Sequence, residues 1–107
     1  MSQQIVSRWE SMRTDETRKV EKLLRRVFPQ ADAYRYNSAS IRVRVTDPRF
    51  DGKSTEQRDA MVEQLIEELP KKTQADIINL LTLTPAERAD FKSLPNAEFE
   101  DPTPSKL

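Results

Sequence analysis

The sequence predicts one α+β domain, in which a three-stranded mixed sheet carries helices on one of its faces. Segments with the apolar spacing of helices and of strands follow one another in the order αββααβ. With 107 residues, the chain has the length of a single domain. Because helices connect the second strand to the third, we expect those two strands to be parallel, with a right-handed connection.

The first helix is predicted over residues 15–28, where the apolar residues form a single stripe. They recur at i, i+3, i+4, i+7 and i+8: Val20, Leu23, Leu24, Val27 and Phe28. Thr14 or Asp15 can supply the N-cap oxygen, and Pro29 ends the helix. The opposite side of the helix is basic, with Lys19, Lys22, Arg25 and Arg26.

Two antiparallel strands are predicted over residues 33–36 and 40–46, joined by a short Asn-Ser-Ala connection. The second strand alternates between apolar residues on one side and polar residues on the other: Ile41, Val43 and Val45 against Arg42, Arg44 and Thr46. A two-residue turn places Tyr34 and Tyr36 on the face of these apolar residues and Arg35 beside the arginines. A three-residue loop reverses the faces, and both registers remain open.

A loop with turn chemistry leads into the second helix. Residues 47–53 contain Asp, Pro and Gly, which favour turns, and Ser54 and Gln57 have the spacing of a capping box. The apolar face of the helix follows: Met61, Val62, Leu65, Ile66 and Leu69. Pro70 ends the helix. We assign structural roles in the turn and the cap to Phe50, Gly52 and Ser54.

The elements that follow are shorter. Residues 73–76 allow one further helical turn, and Ile77–Leu83 is a nearly continuous apolar run that predicts a buried third strand. A Thr-Pro-Ala-Glu helix start comes at Thr84. We expect this last helix to end near Phe91 or Lys92.

The two ends of the chain differ in composition from the domain over residues 14–92. Residues 93–107 are rich in proline and acidic residues, which predicts a disordered tail. Residues 1–13 contain large apolar residues at i, i+4 and i+7: Ile5, Trp9 and Met12. This spacing predicts a short amphipathic helix that packs on its own domain or docks on a partner.

Three residue counts exclude most catalytic chemistry. The chain has no Cys, no His and a single glycine, Gly52. It therefore lacks a thiol nucleophile, an imidazole base and the usual ligands of transition metals and iron–sulfur clusters. One glycine cannot build a P-loop or a dinucleotide-binding turn. We expect a protein that is not an enzyme, has no catalytic residues, and holds no metal and no other cofactor.

Charge and hydropathy bear on partners and location. The net charge is zero, but residues 1–44 hold ten basic and five acidic residues, residues 45–83 five and eight, and residues 84–107 three and five. This asymmetry predicts an anion-binding face, unless it reflects an ordinary solvated surface. No apolar stretch approaches the roughly 20 residues that span a bilayer, and the first residues lack a signal-peptide pattern. We expect a cytoplasmic protein that does not enter membranes.

Several motifs within residues 20–87 resemble the BolA family in order and spacing. They are Leu23-Leu24 with Phe28-Pro29, Val43-Arg44-Val45-Thr46-Asp47, Phe50-Asp51-Gly52-Lys53-Ser54 followed by Arg58, Leu69 at the end of its helix, and Thr82-Leu83-Thr84-Pro85-Ala86-Glu87. The resemblance implies a class II KH-type fold with the same αββααβ order.

The departures from the family pattern concern metal ligands. BolA proteins usually carry an Arg-His pair in the second helix and a His just before the third strand, which the resemblance implies as an iron–sulfur ligand in pairs with monothiol glutaredoxins. Here Asp59 follows Arg58, and Asp76 stands at the second position. The His-rich or Cys-bearing segment between the first two strands is reduced to residues 37–39. Because carboxylates are poor ligands for these clusters, we expect the fold without the cluster chemistry.

Two functions agree with these observations. We expect a regulator or adaptor domain that binds a protein partner, and the alternative is a KH-like module that binds nucleic acid. The candidate contacts for either partner are basic: Arg42, Arg44, Lys53, Arg58, Lys71 and Lys72. Lys53 precedes a helix N-terminus, which favours phosphate. The lack of the G-x-x-G clamp of KH domains and the zero net charge argue against nucleic acid.

Overall fold

A computed structural model describes residues 7–107, and its three strands form the mixed sheet that the sequence predicts. The strand order is β1-β2-β3, with β1 antiparallel to β2 and β2 parallel to β3. In chain order the elements are a 3₁₀ helix (Arg8–Met12), α1 (Asp15–Leu24), β1 (Gln30–Asn37), β2 (Ser40–Thr46), a second 3₁₀ helix (Pro48–Phe50), α2 (Thr55–Ile66), α3 (Lys71–Asp76), β3 (Ile77–Leu83), α4 (Pro85–Ala89) and α5 (Leu94–Glu100). The α+β class and the αββααβ order of the central elements are confirmed.

The first helix is shorter than its apolar stripe suggests. Thr14 is the N-cap, and its hydroxyl accepts a hydrogen bond from the backbone N–H of Thr17. The helix ends at Leu24, and a turn over residues 25–27 follows. Val27 is therefore exposed, whereas Phe28 still reaches the core.

A bulge at Tyr36 decides the register of the hairpin. The connection has two residues, since Asn37 pairs with Ser40, but the register shifts between Arg35 and Asn37. Arg35 consequently lies opposite Ile41 and Tyr34 opposite Arg42. Tyr34 and Tyr36 therefore lie on the same face of the sheet as Arg42 and Arg44. A three-residue loop would give the same arrangement, because the extra residue of a bulge also shifts the pairing by one position.

The third strand lies at an edge of the sheet and is only partly buried. Its register shifts between the pairs Ile41–Ile77 and Arg42–Asn79, so that Ile78 has no partner on β2. The side chain of Ile78 is 71% exposed, and the expectation of a buried strand is wrong there. The helix that follows also ends earlier than expected, at Ala89, which leaves Phe91 in the loop beyond it.

Helices cover both faces of the sheet. On the first face, α1 and α2 pack over the apolar side of the strands, with Val20, Leu24, Phe28, Val43 and Val62 in the core. The sequence predicts helices on this face alone. On the second face, the N-terminal 3₁₀ helix and α5 enclose a smaller aromatic cluster: Trp9, Tyr34 and Phe99.

The terminal segments thus belong to the folded unit. Residues 93–107 were expected to be disordered, but residues Leu94–Glu100 form α5, and Phe99 is only 4% exposed. The hydroxyl of Tyr36 donates a hydrogen bond to the carbonyl of Thr103, beyond the helix. Trp9 is buried against Phe99, so this part of the N-terminal segment packs on its own domain, while Ile5 lies outside the described residues. None of the helices over residues 7–107 is long and apolar enough to span a bilayer.

Candidate functional site

Two of the predicted basic contacts lie beneath α5. Arg44 is fully buried; its guanidinium contacts Asp32 at 2.8 Å and Glu100 at 3.0 Å. Arg42 donates a hydrogen bond of 2.8 Å to Glu98 and stacks 3.7 Å from the centroid of the Tyr36 ring. These two arginines hold α5 on the sheet and do not face solvent as a phosphate-binding surface would.

The ion pair between Arg42 and Glu98 has a short distance and changes the pKa of the carboxyl. The hydrogen bond from Arg42 lowers the pKa of Glu98 from 4.5 to about 2, and hydrogen bonds from Thr103 act in the same direction. The carboxylate therefore stays ionised at any physiological pH. The contact between α5 and the second face thus includes ion pairs as well as the aromatic packing of Phe99.

The other four predicted contacts do not join Arg42 and Arg44. Arg58 forms two hydrogen bonds with Glu87, of 2.6 and 3.2 Å, which hold the pKa of Glu87 below its ordinary value. Lys53 is exposed in the loop before α2, and Lys71 and Lys72 are exposed in the first turn of α3. The structure does not assemble the six residues into one basic patch.

The turn before α2 is built from the residues to which structural roles were assigned. Gly52 has a φ of 75°, a left-handed conformation that disfavours other residues. Phe50 is fully buried, and its ring centroid lies 5.7 Å from that of Phe28. The Ser54 hydroxyl accepts a hydrogen bond from the Gln57 N–H, and the Gln57 side chain accepts one from the Ser54 N–H.

The outer edge of β1 is closed by side chains of α1. The Ala31 carbonyl accepts a hydrogen bond of 2.9 Å from Arg25, and the Ala33 N–H donates one of 3.0 Å to Glu21. Glu21 is itself buried and paired with Arg13. Because these two backbone groups already have partners, another strand cannot form a regular ladder with β1 at Ala31 and Ala33 unless it displaces Arg25 and Glu21.

The outer edge of β3 is open by contrast. The Leu83 carbonyl accepts a hydrogen bond from the Asp47 N–H, so Leu83 faces β2. Backbone groups alternate in direction along a strand, and those of Leu80 and Thr82 therefore point outward. Among the described side chains, Arg58 alone reaches this edge, with a hydrogen bond of 3.2 Å to the Thr82 carbonyl.

A groove runs along this open edge, and we call it the β3 groove. It consists of two depressions that meet at Leu80, one of about 290 Å³ beside α2 and α3 and one of about 350 Å³ beside α4. Ile66, Ile77 and Leu80 contribute apolar surface to the first depression, and its acidic residues are Glu63 and Glu67. The second extends along Leu80–Leu83 and has Arg58, Glu87 and Asp90 among its lining residues.

Three large apolar side chains are exposed on or near the edge of β3. Ile78 lies on β3 and lines a separate depression with Tyr36 and Arg42. Phe91 and Leu94 are chain neighbours of Asp90 and Ser93, two residues of the groove. β3 contains neither a charged residue nor a proline, the devices that usually protect an edge strand from pairing. This edge has the composition of a strand that accepts another one.

Sequence reasoning missed this edge. The apolar run of Ile77–Leu83 pointed to a strand, but the same run is expected of a strand that is buried on both sides. The lack of any charge in the run was the one available signal of an unprotected edge. Over residues 7–107, no group of three His, Cys, Asp or Glu side chains is placed to hold a metal ion.

The sequence was compared with known proteins. No model of a known protein family matches the chain, and no curated protein matches it. The resemblance to BolA proteins therefore depends on the motifs within residues 20–87 alone.

Proposed function

We propose that this protein is a non-enzymatic, BolA-like regulator or adaptor that binds a protein partner by accepting an extended segment of that partner beside β3. The observation that carries the proposal is the difference between the two edges of the sheet. Glu21 of α1 and its C-cap Arg25 obstruct the edge of β1 at Ala31 and Ala33, whereas on the edge of β3 only the Thr82 carbonyl has a partner among the described side chains and a groove runs beside the strand. Added strands are a recurring mode of peptide recognition, in which main-chain hydrogen bonds supply affinity and flanking pockets supply selectivity.

Two further observations support an adaptor without cluster chemistry. The αββααβ order and the mixed sheet are those that the resemblance implies. At the position where the family pattern has a His ligand, the carboxylate of Asp76 is paired with Arg35 at 2.9 Å. Asp76 thus serves an ion pair between β1 and α3, and it is no substitute for an imidazole ligand.

The nucleic-acid alternative receives less support. Arg42 and Arg44 are the central members of the predicted basic surface, and both are paired with carboxylates under α5. A protein that binds the phosphate backbone needs basic residues that can exchange counterions for phosphates. The exposed lysines alone do not favour nucleic acid over a protein partner.

The experiment compares partner capture by three full-length baits in the native host. The first is the natural chain, the second carries Ile78→Lys, which places a charge on the edge of β3, and the third is the matched control Leu107→Lys at another exposed apolar residue. Complexes are crosslinked and divided into a portion treated with nuclease and an untreated portion, and both are identified by mass spectrometry. We expect at least one partner protein whose captured amount is at least tenfold higher with the natural chain and with Leu107→Lys than with Ile78→Lys.

Two results would contradict the proposal. One is equal capture of every partner by the three baits. The other is the loss of all partners upon nuclease treatment, which would favour the nucleic-acid alternative.

A further inference from the structure

We infer that the segment accepted by β3 is basic, with Lys or Arg at alternate positions and apolar residues between them. This inference concerns the chemistry of the partner and rests on the proposed function. It is carried by the acidic residues of the β3 groove, by their spacing, and by the lack of basic residues that neutralise them.

Three of the four acidic residues that line the β3 groove have no partner of opposite charge among residues 7–107. Glu63 and Glu67 are exposed where α2 borders the groove, and Asp90 is exposed at its other end; none of the three forms an ion pair within this part of the chain. Arg58 also lines the groove, but its charge is balanced by Glu87. The groove therefore has an uncompensated negative charge.

The arginines of the domain cannot supply these charges, because nearly all of them are paired elsewhere. Ten of the eleven arginines of the chain form an ion pair with a carboxylate, and Arg18 is the exception within the described residues. This pairing leaves eight carboxylates of residues 7–107 without an ion pair, and three of the eight line the groove: Glu63, Glu67 and Asp90. A basic ligand would supply the missing charges.

The spacing of the carboxylates matches that of alternate residues on a strand. Glu63 lies in the last turn of α2 and Glu67 is the C-cap of the helix, which separates them by about 6 Å along the helix axis. Residues i and i+2 of a strand share a face and lie about 6.7 Å apart. Two basic side chains at i and i+2 of the added strand can therefore reach the two glutamates at once, while the backbone pairs with β3.

The same charges disfavour the other occupants of the edge. Pairing of β3 with β3 of a second copy would bring the acidic residues of two grooves together, and like charges repel. An acidic segment would meet the same repulsion. A neutral strand would gain the backbone hydrogen bonds without the ion pairs.

The test is a titration of the ¹⁵N-labelled full-length protein with three blocked hexapeptides. They alternate valine with lysine, with serine or with glutamate, so that only the charge differs. We expect the lysine peptide to shift the amide signals of β3 and of the second half of α2, with an affinity about fivefold above that of the serine peptide, as two exposed ion pairs would give. We expect the glutamate peptide to bind weakest.

Variants test whether Glu63 and Glu67 cause the preference for the lysine peptide. The double change Glu63→Gln and Glu67→Gln should lower the affinity for the lysine peptide to that for the serine peptide and leave the latter unchanged. The matched control is Glu10→Gln with Asp101→Asn, which removes two exposed carboxylates from residues that do not line the β3 groove and should change neither affinity.

Each alternative outcome is distinct. Equal binding of the lysine and serine peptides at β3 would overturn the inference and leave the proposed function standing. A preference for lysine that survives the double change would also overturn the inference. Failure of all three peptides to shift β3, or dimerisation through β3 at the concentrations used, would overturn the proposed function as well.

Discussion

Replacing Phe99 with alanine is expected to lower the free energy of unfolding by about 3 kcal/mol, near the lower end of the range for large aromatic side chains in protein cores. Phe99 is 4% exposed, and its ring centroid lies 4.8 Å from that of Tyr34 and 5.5 Å from that of Trp9. The lower end applies because α5 is a surface helix that can move partly into the cavity. For a domain of this size, the same change should lower the melting temperature by about 12–24 °C.

The assay is urea unfolding followed by the fluorescence of Trp9, which is the only tryptophan of the chain and contacts the altered position. The control is Phe91→Ala in the same segment, since Phe91 is 90% exposed and should change stability by less than about 0.5 kcal/mol. A loss below 1 kcal/mol for Phe99→Ala, or equal losses for the two variants, would refute the reasoning that residues 93–107 are an integral layer of the fold.

Three further predictions concern caps and ion pairs. Ser54→Ala should cost about 1 kcal/mol in urea unfolding, because it removes the cap of α2, whereas Ser54→Asp should retain most of the stability. The hydrogen bond from Arg42 lowers the pKa of Glu98 from 4.5 to about 2, so the ionised carboxylate stabilises the native state above pH 4.5 and this contribution disappears as the pH falls to about 2. The stability difference between the natural chain and Glu98→Gln should therefore be constant above pH 5 and shrink towards pH 2 in unfolding curves; a difference that does not depend on pH would contradict the ion pair. Arg44→Met should cost about 2–3 kcal/mol, because it leaves Asp32 with only two longer contacts to other arginines, and Asp32→Asn in the same chain should restore part of the loss.

The sequence contained most of the information on the fold. The apolar stripe of α1, the alternation of Ile41, Val43 and Val45, and the capping residues Ser54 and Thr84 each depend on neighbours within a few positions. Such local patterns fix the type of an element and often one of its ends. This explains why β2 and β3 begin and end at the predicted residues.

Features that depend on contacts with distant residues could not be predicted from these local patterns. The bulge at Tyr36 changes the face of Tyr34 without a change in the length of the turn. α5 has few apolar residues of its own. It is held because Phe99 packs against Trp9 and Tyr34, while Glu98 pairs with Arg42 and Glu100 with Arg44. The Pro-rich and acidic sequence of residues 93–107 contains no local pattern that would predict this contact with the sheet.

The candidate site was missed for the same physical reason. Alternating arginines on β2 suggested an exposed basic surface, but α5 covers that face. The open edge of β3 depends on strand order, and the closure of β1 depends on side chains of Arg25 and Glu21 that arrive from a helix. Neither follows from the apolar pattern of the strand that it affects.

The unequal edges also limit how copies of this chain can polymerise. Growth of a fibre by sheet extension needs two complementary edges on every molecule, so that each copy presents one and receives one. Here Arg25 and Glu21 occupy the Ala31 carbonyl and the Ala33 N–H on the edge of β1, so a β3 strand of a neighbour would have to displace both side chains to form a regular ladder there. β3 can thus remain exposed, although it is apolar and uncharged, without promoting the assembly of many copies into a fibre.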